Sequence, residues 1–188
     1  MASLPVRIEA QRSRASTELF LRSVHPEDGD ALQHYVRRMS PQSRTDRFFG
    51  PLLELPPGEL ARALAANERD RLTLLLTSRS SDAETIIGEA RVALSCVERE
   101  GEFGMSLADD FRGRGLGSIL LGLIEERAAA DGIETLFGDT LRSNESMIGL
   151  ARARGYRLSE GLEPRTLRMR KRLAHVAPDL PCRKWNAA

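Results

Sequence analysis

The segment Asp109–Ser118, DDFRGRGLGS, constrains this chain more than any other. It follows an extended-looking stretch, 101–108, and precedes a helical period carried by Leu116, Leu120, Leu123, Ile124 and Ala128. Gly113, Gly115 and Gly117 take every second position, so the backbone is free to adopt positive φ and to approach a ligand closely. Successive N–H groups in such a turn form an anion-binding nest, and the following helix adds the positive end of its dipole. Arg112 and Arg114 contribute full charges. A diphosphate suits this combination; a tight strand-to-helix turn with two solvated arginines is the plainer alternative. Two phosphate motifs are excluded by spacing. A P-loop needs Lys before its Ser or Thr, and here Ser118 and Ile119 follow the last glycine. The dinucleotide fingerprint places glycines at one, three and six, whereas these fall at one, three and five, and Ser118 fills the next position.

The rest of the chain alternates between the two hydrophobic periods. Residues 19–24 read as a strand, and Ala31, Leu32, Tyr35, Val36 and Met39 as a helix ended by Ser40 and Pro41. A loop or short helix carries Arg44, Arg47, Phe48 and Phe49, and Pro56 and Pro57 open another helix through Leu60 and Leu64. Residues 71–78, 85–94 and 101–108 read as an antiparallel meander, with a bulge expected at Gly88. After the glycine turn come a helix stopped by Gly132, a strand over 134–141, and a helix capped by Asn144 and ended by Gly155. Tyr156 reads as a core aromatic. Two closing strands follow, the second (Arg168–Arg172) with the exposed charges of a sheet edge. The expected fold class is mixed α/β, a central sheet flanked by helices.

Composition sets the bounds. The chain has 188 residues, 41% of them apolar, which suits a single domain over 19–173, with a flexible lead-in at 1–18 and a tail at 174–188. A net charge of +1 gives no electrostatic reason to expect nucleic acid or a membrane surface as partner. No apolar run is long enough to span a bilayer, and the N-terminus lacks the apolar centre of a secretory signal, so a cytoplasmic protein is expected. Cys96 and Cys182 are distant from each other, and His25, His34 and His175 are scattered, so neither a disulfide nor a metal site is expected.

RGRGLG between a strand and a helix resembles the acyl-CoA pyrophosphate motif of the GNAT family of N-acetyltransferases, and NESMIGLARARGY (144–156) resembles that family's second cofactor-side motif. The resemblance runs over about residues 19–173. SPQSRTDRFFGPL (40–52) and GEFGMSLADDFRGRGLG (101–117) are most similar to the protein-lysine acetyltransferase branch related to domains fused to acyl-CoA synthetases. It implies a mostly antiparallel sheet splayed at the strand before the glycine turn. It implies acetyl-CoA as cosubstrate without a metal, and direct transfer to an amine in a ternary complex. Arg112, Gly113, Arg114, Gly115, Gly117, Ser118 and Asn144 would contact the cofactor, while backbone at Met105 and Leu107 would polarise the acyl carbonyl and pair with the pantetheine arm.

A lysine amine titrates near ~10.4 and arrives protonated, so a base must act directly or through water. The resemblance assigns that role to Glu102; a solvated strand residue is its other reading, and Glu89, Glu98 and Glu100 are alternatives. Ala151 stands where many relatives carry a tyrosine that reprotonates the leaving thiolate. The favoured acceptor is a protein lysine, by resemblance, with a small-molecule amine as alternative acceptor. A catalytically silent acyl-CoA sensor is the alternative of a different class. A monomer or homodimer is expected.

Overall fold

In the computed structural model, which describes residues 6–8, 18–65, 70–79, 83–95 and 97–173, the chain forms a mixed sheet with helices on both faces. The strands are β1 (Val6–Ile8), β2 (Glu18–Ser23), β3 (Arg71–Arg79), β4 (Glu84–Ser95), β5 (Glu100–Leu107), β6 (Thr135–Leu141), β7 (Arg157–Glu160) and β8 (Thr166–Arg172). They lie in the order β1-β2-β3-β4-β5-β6-β8-β7, and all neighbours are antiparallel except β5 and β6. Helices α1 (Gly29–Arg38), α2 (Pro41–Phe48) and α3 (Pro57–Leu64) fall between β2 and β3 in the chain. Helix α4 (Leu116–Ala130) makes the crossover that a parallel β5–β6 pair requires, and α5 (Glu145–Ala153) links β6 to β7.

Two hydrophobic cores hold the helices to the sheet. Leu32, Tyr35 and Val36 of α1 and Ala63 of α3 close over Leu75 and Ile86 on one face. Leu116, Leu120, Leu121, Ile124 and Ala128 of α4 pack with Leu74, Leu76, Val92, Phe103 and Leu136 on the other. Strand β3 is apolar on both sides because both cores use it. Leu121 is fully buried while Leu123 is only partly so, which turns the buried face of α4 slightly from the expected stripe. Tyr156 is a core aromatic as expected, its ring 5.5 Å from that of Phe103.

Several local expectations are corrected. α1 stops at Met39, directly before Ser40 and Pro41 as expected, but these two residues also start α2: the Ser40 side chain accepts from the Ser43 N–H and caps it, with Pro41 in the first helical turn. The strand Arg168–Arg172 is not at an edge. It lies between β6 and β7, and its charges are matched, Arg168 to Asp139, Arg170 to Glu100 and Lys171 to Glu125. Within the expected lead-in 1–18, Val6–Ile8 pairs with Leu19–Leu21 and extends the sheet by a strand too short to show a period. Cys96, Cys182, His175 and the tail 174–188 lie outside the described residues. The expected bulge is present. Leu76 opposes Gly88 and Thr77 opposes Ile86, so Ile87 is the inserted residue.

The feature that positions the site is the divergence of β5 from β6. Their parallel pairing covers only Glu100↔Thr135, Gly101↔Leu136 and Glu102↔Phe137. Gly138 still allows close approach: a Cβ there would lie 2.6 Å from the Phe103 carbonyl oxygen. Beyond it the strands separate. β5 continues along β4 to Leu107, and β6 continues along β8 to Leu141.

Candidate active site

Two adjoining cavities occupy this wedge. One, of about 250 Å³, reaches toward α2 and is lined by Asp46, Arg47, Arg91, Glu102, Asp139 and Thr140 among others. The other, of about 270 Å³, reaches toward α4 and α5 and is lined by Leu107, Gly113, Gly115, Gly117, Ser118 and Leu150 among others. Met105, Ser106, Arg112, Asn144 and Met147 line both. The wedge thus brings most of the residues singled out in the sequence to one continuous space, Glu102 at one end and the glycine turn at the other.

The turn has the backbone its glycines imply. Gly113 and Gly115 sit at φ +69° and +80°, and a Cβ at either would meet no atom within 4 Å. Gly117 serves differently. It lies in the first turn of α4, where a Cβ would come 3.3 Å from Leu150 of α5. Asn144 caps α5 by accepting from the Met147 N–H at 3.0 Å while lining both cavities. Arg114 departs from expectation: it lines neither cavity, its guanidinium lying 5.1 Å from the centre of the Phe111 ring. Arg112 points toward α2. It donates to Ser43 Oγ at 2.9 Å, and Ser43 in turn donates to Asp109 Oδ1 at 2.5 Å. Burial raises the Asp109 carboxyl, but bonds from Ser43 and Ser40 and the charge of Arg112 outweigh it and hold the group below its usual range.

Strand alternation puts Glu102, Gly104 and Ser106 on one face of β5 and Met105 and Leu107 on the other. Glu102 is exposed and lines the α2-side cavity. The alternatives to it as a base are placed less well. Glu98 lines neither cavity, and Glu100 is paired with Arg170. Glu89 is fully buried between Arg47 (2.6 Å) and Arg91 (2.7 Å). Burial raises its carboxyl, but the two guanidiniums prevail and keep it below the ordinary range, anionic and committed. Glu89 also accepts from Ser106 Oγ at 3.3 Å, and Ser106 accepts from the Tyr35 hydroxyl at 3.0 Å.

This Arg47–Glu89–Arg91 group was not foreseen. The signal for it was a glutamate and an arginine inside the otherwise apolar run TIIGEARVAL. It explains Gly104, where a Cβ would lie 2.6 Å from Arg47 Nη1: the absent side chain gives the guanidinium its place on β5. Ala151 is fully buried in the core and lines neither cavity.

A splayed strand, a positive-φ glycine turn at a helix start and an opposed carboxylate form a constellation for bringing an anionic carrier to a nucleophile. The profile of the acetyltransferase (GNAT) family matches residues 41–156. A curated acetyltransferase of Pseudomonas aeruginosa is 24% identical over 138 residues, which are 73% of this chain and 74% of that one. The GNAT domain of S. lividans PAT superposes with a TM-score of 0.78 at 22% identity, over 90% of this chain and 97% of that one. The putative acetyltransferase yncA of Salmonella typhimurium, solved with acetyl-CoA, gives 0.66 at 17% identity, over 86% and 98%.

Proposed function

The chain belongs to the GNAT acetyltransferase family, and from that premise we propose that it moves an acetyl group from acetyl-CoA to the side-chain amine of a protein lysine. The observation that carries this reading is the meeting of the two cavities at Met105 and Ser106, with an exposed carboxylate in one and an anion-binding turn in the other.

The residues fit coenzyme A. Gly113 and Gly115 leave open space above a turn at the start of α4, where backbone N–H groups and the helix dipole favour a pyrophosphate. Ser118 lines the same cavity, and Arg112 is within the turn. Among the described residues β5 has no strand partner on its β6 side beyond Glu102, so its backbone around Met105 and Leu107 is available to an amide-bearing arm. When bound, acetyl-CoA supplies a thioester carbonyl to an attacking amine.

Glu102 takes the proton that a lysine ammonium must lose, directly or through water. Asp46, across the same cavity, adds negative charge that favours entry of a cation. With acetyl-CoA bound, the backbone N–H at Met105 would donate to the carbonyl oxygen as charge develops there. Asn144, whose oxygen caps α5, keeps its Nδ2 to donate to the carrier arm. Arg114 is left in solvent.

The test is turnover of acetyl-CoA with lysine peptides by wild type and Glu102→Gln across pH. The expected result is retained acetyl-CoA affinity with turnover down about a hundredfold or more. Undiminished turnover in Glu102→Gln would remove the base assignment, and activity confined to free amines would make the acceptor a small molecule. Tight binding with no turnover on any amine would favour a silent acyl-CoA sensor, the reading that buried Ala151 supports.

A further inference from the structure

The wedge contains a hydroxyl that the preceding account leaves idle. Thr140 is 2% exposed, lines the α2-side cavity, and its Oγ1 is buried without a hydrogen-bond partner among the described residues. A buried hydroxyl without a partner is costly, and native interiors rarely keep one without a use.

Its place in the register is specific. Thr135 opposes Glu100 and Phe137 opposes Glu102, so the same register carried forward sets Thr140 opposite Met105. Leu136 and Met105 both contact the α4-side core, so alternation puts Thr140 on that face as well. Met105 and Thr140 are therefore the two walls of the wedge at one level, on the side where α5 brings Met147 against the same cavity. No tyrosine enters from α5, which carries none, and Ala151 is buried in the core.

We propose that Thr140 Oγ1–H is a catalytic hydrogen-bond donor to the thioester sulfur of acetyl-CoA, stabilising the thiolate as it leaves. This rests on the acetyl-CoA reading above. In the step, the amine nitrogen bonds to the acyl carbon, the carbon–sulfur bond breaks, and its electron pair goes to sulfur. The Thr140 hydroxyl keeps its proton and shares it with that sulfur; solvent then supplies the proton of the free thiol. The amine loses one proton to Glu102 before attack and its second to solvent afterward. A threonine hydroxyl is far too weak an acid to surrender its proton outright, but a hydrogen bond to a developing anion needs no transfer.

The test compares wild type with Thr140→Val, which keeps the shape and removes the hydroxyl, and with Thr140→Ser, which restores it. Three measurements suffice: thermal stability, the ultraviolet titration of the thiol of bound CoA, and turnover. Because the hydroxyl has no partner among the described residues, Thr140→Val should melt at or above the wild-type temperature. It should bind acetyl-CoA as tightly as wild type, raise the titration midpoint of bound CoA by about one to two pH units, and lower kcat about ten- to hundredfold at unchanged KM. Thr140→Ser should recover most of both. An unmoved thiol titration in Thr140→Val, or a melting temperature that falls with it, would overturn the proposal, since the hydroxyl would then be idle or structural. Wild type that binds no CoA would instead remove the acetyl-CoA reading, and this role with it.

Discussion

At the scale of single residues, the three glycines of the turn do two kinds of work. Gly113 and Gly115 hold positive φ over open space, while Gly117 has ordinary helical torsions and faces Leu150. Gly113→Ala and Gly115→Ala should each lower stability by about 1–2 kcal/mol, the cost of a left-handed L-residue. They should lower CoA affinity further, because the new methyl stands where a ligand must approach. Gly117→Ala gains helix propensity of about 1 kcal/mol against a tight but yielding contact, and its stability should stay within about 1 kcal/mol of wild type. Denaturant melts paired with calorimetric CoA titrations separate the two classes. The turn was legible in the sequence because a positive φ strongly favours one residue type. The Glu89 group was not, since its members come from α2 and β4 and are brought against Gly104 of β5 only by the finished sheet.

At the scale of elements, α2 is tied to the site by polar contacts more than by apolar burial. Ser40 caps it, Ser43 reaches Asp109, and Arg47 reaches Glu89. Ser40→Ala removes the cap and the Ser40–Ser43 contact and should cost about 1 kcal/mol in a urea melt. If α2 forms the acceptor wall, KM for the acceptor should rise more than KM for acetyl-CoA in steady-state kinetics. Most helices and strands were readable from period and punctuation. What local pattern does not carry is neighbour order: the alternating charges of β8 suit an edge, yet β7 takes the edge and β8 an interior place where Arg168, Arg170 and Lys171 find partners.

At the scale of the whole molecule, pairs of opposite charge tie segments distant in sequence, and several of their carboxylates are held below the ordinary range. Burial raises Asp28, but the hydrogen bonds and charge of Arg22 and the bond from the His25 N–H together outweigh it; in Asp109 and Glu89, too, bonds and neighbouring charge together outweigh burial. A depressed folded pKa adds stability that is fully present above the unfolded value, about 4, and is lost as pH falls through the folded value. Unfolding free energy from urea melts should therefore be flat with respect to these groups near neutrality and fall progressively below about pH 4. Glu89→Gln should be less stable at neutral pH by about 3–5 kcal/mol, since it leaves buried guanidiniums uncompensated, and should show a shallower acid limb.

The divergence of β5 from β6 has a consequence for traffic. One cavity opens among α2 residues and the other among α4 and α5 residues, and those helices cover opposite faces of the sheet. Under the proposed function, donor and acceptor enter by separate doors and touch only through the gap in the sheet. An acetylated acceptor then has its own way out while spent CoA is still seated, so neither product has to queue behind the other.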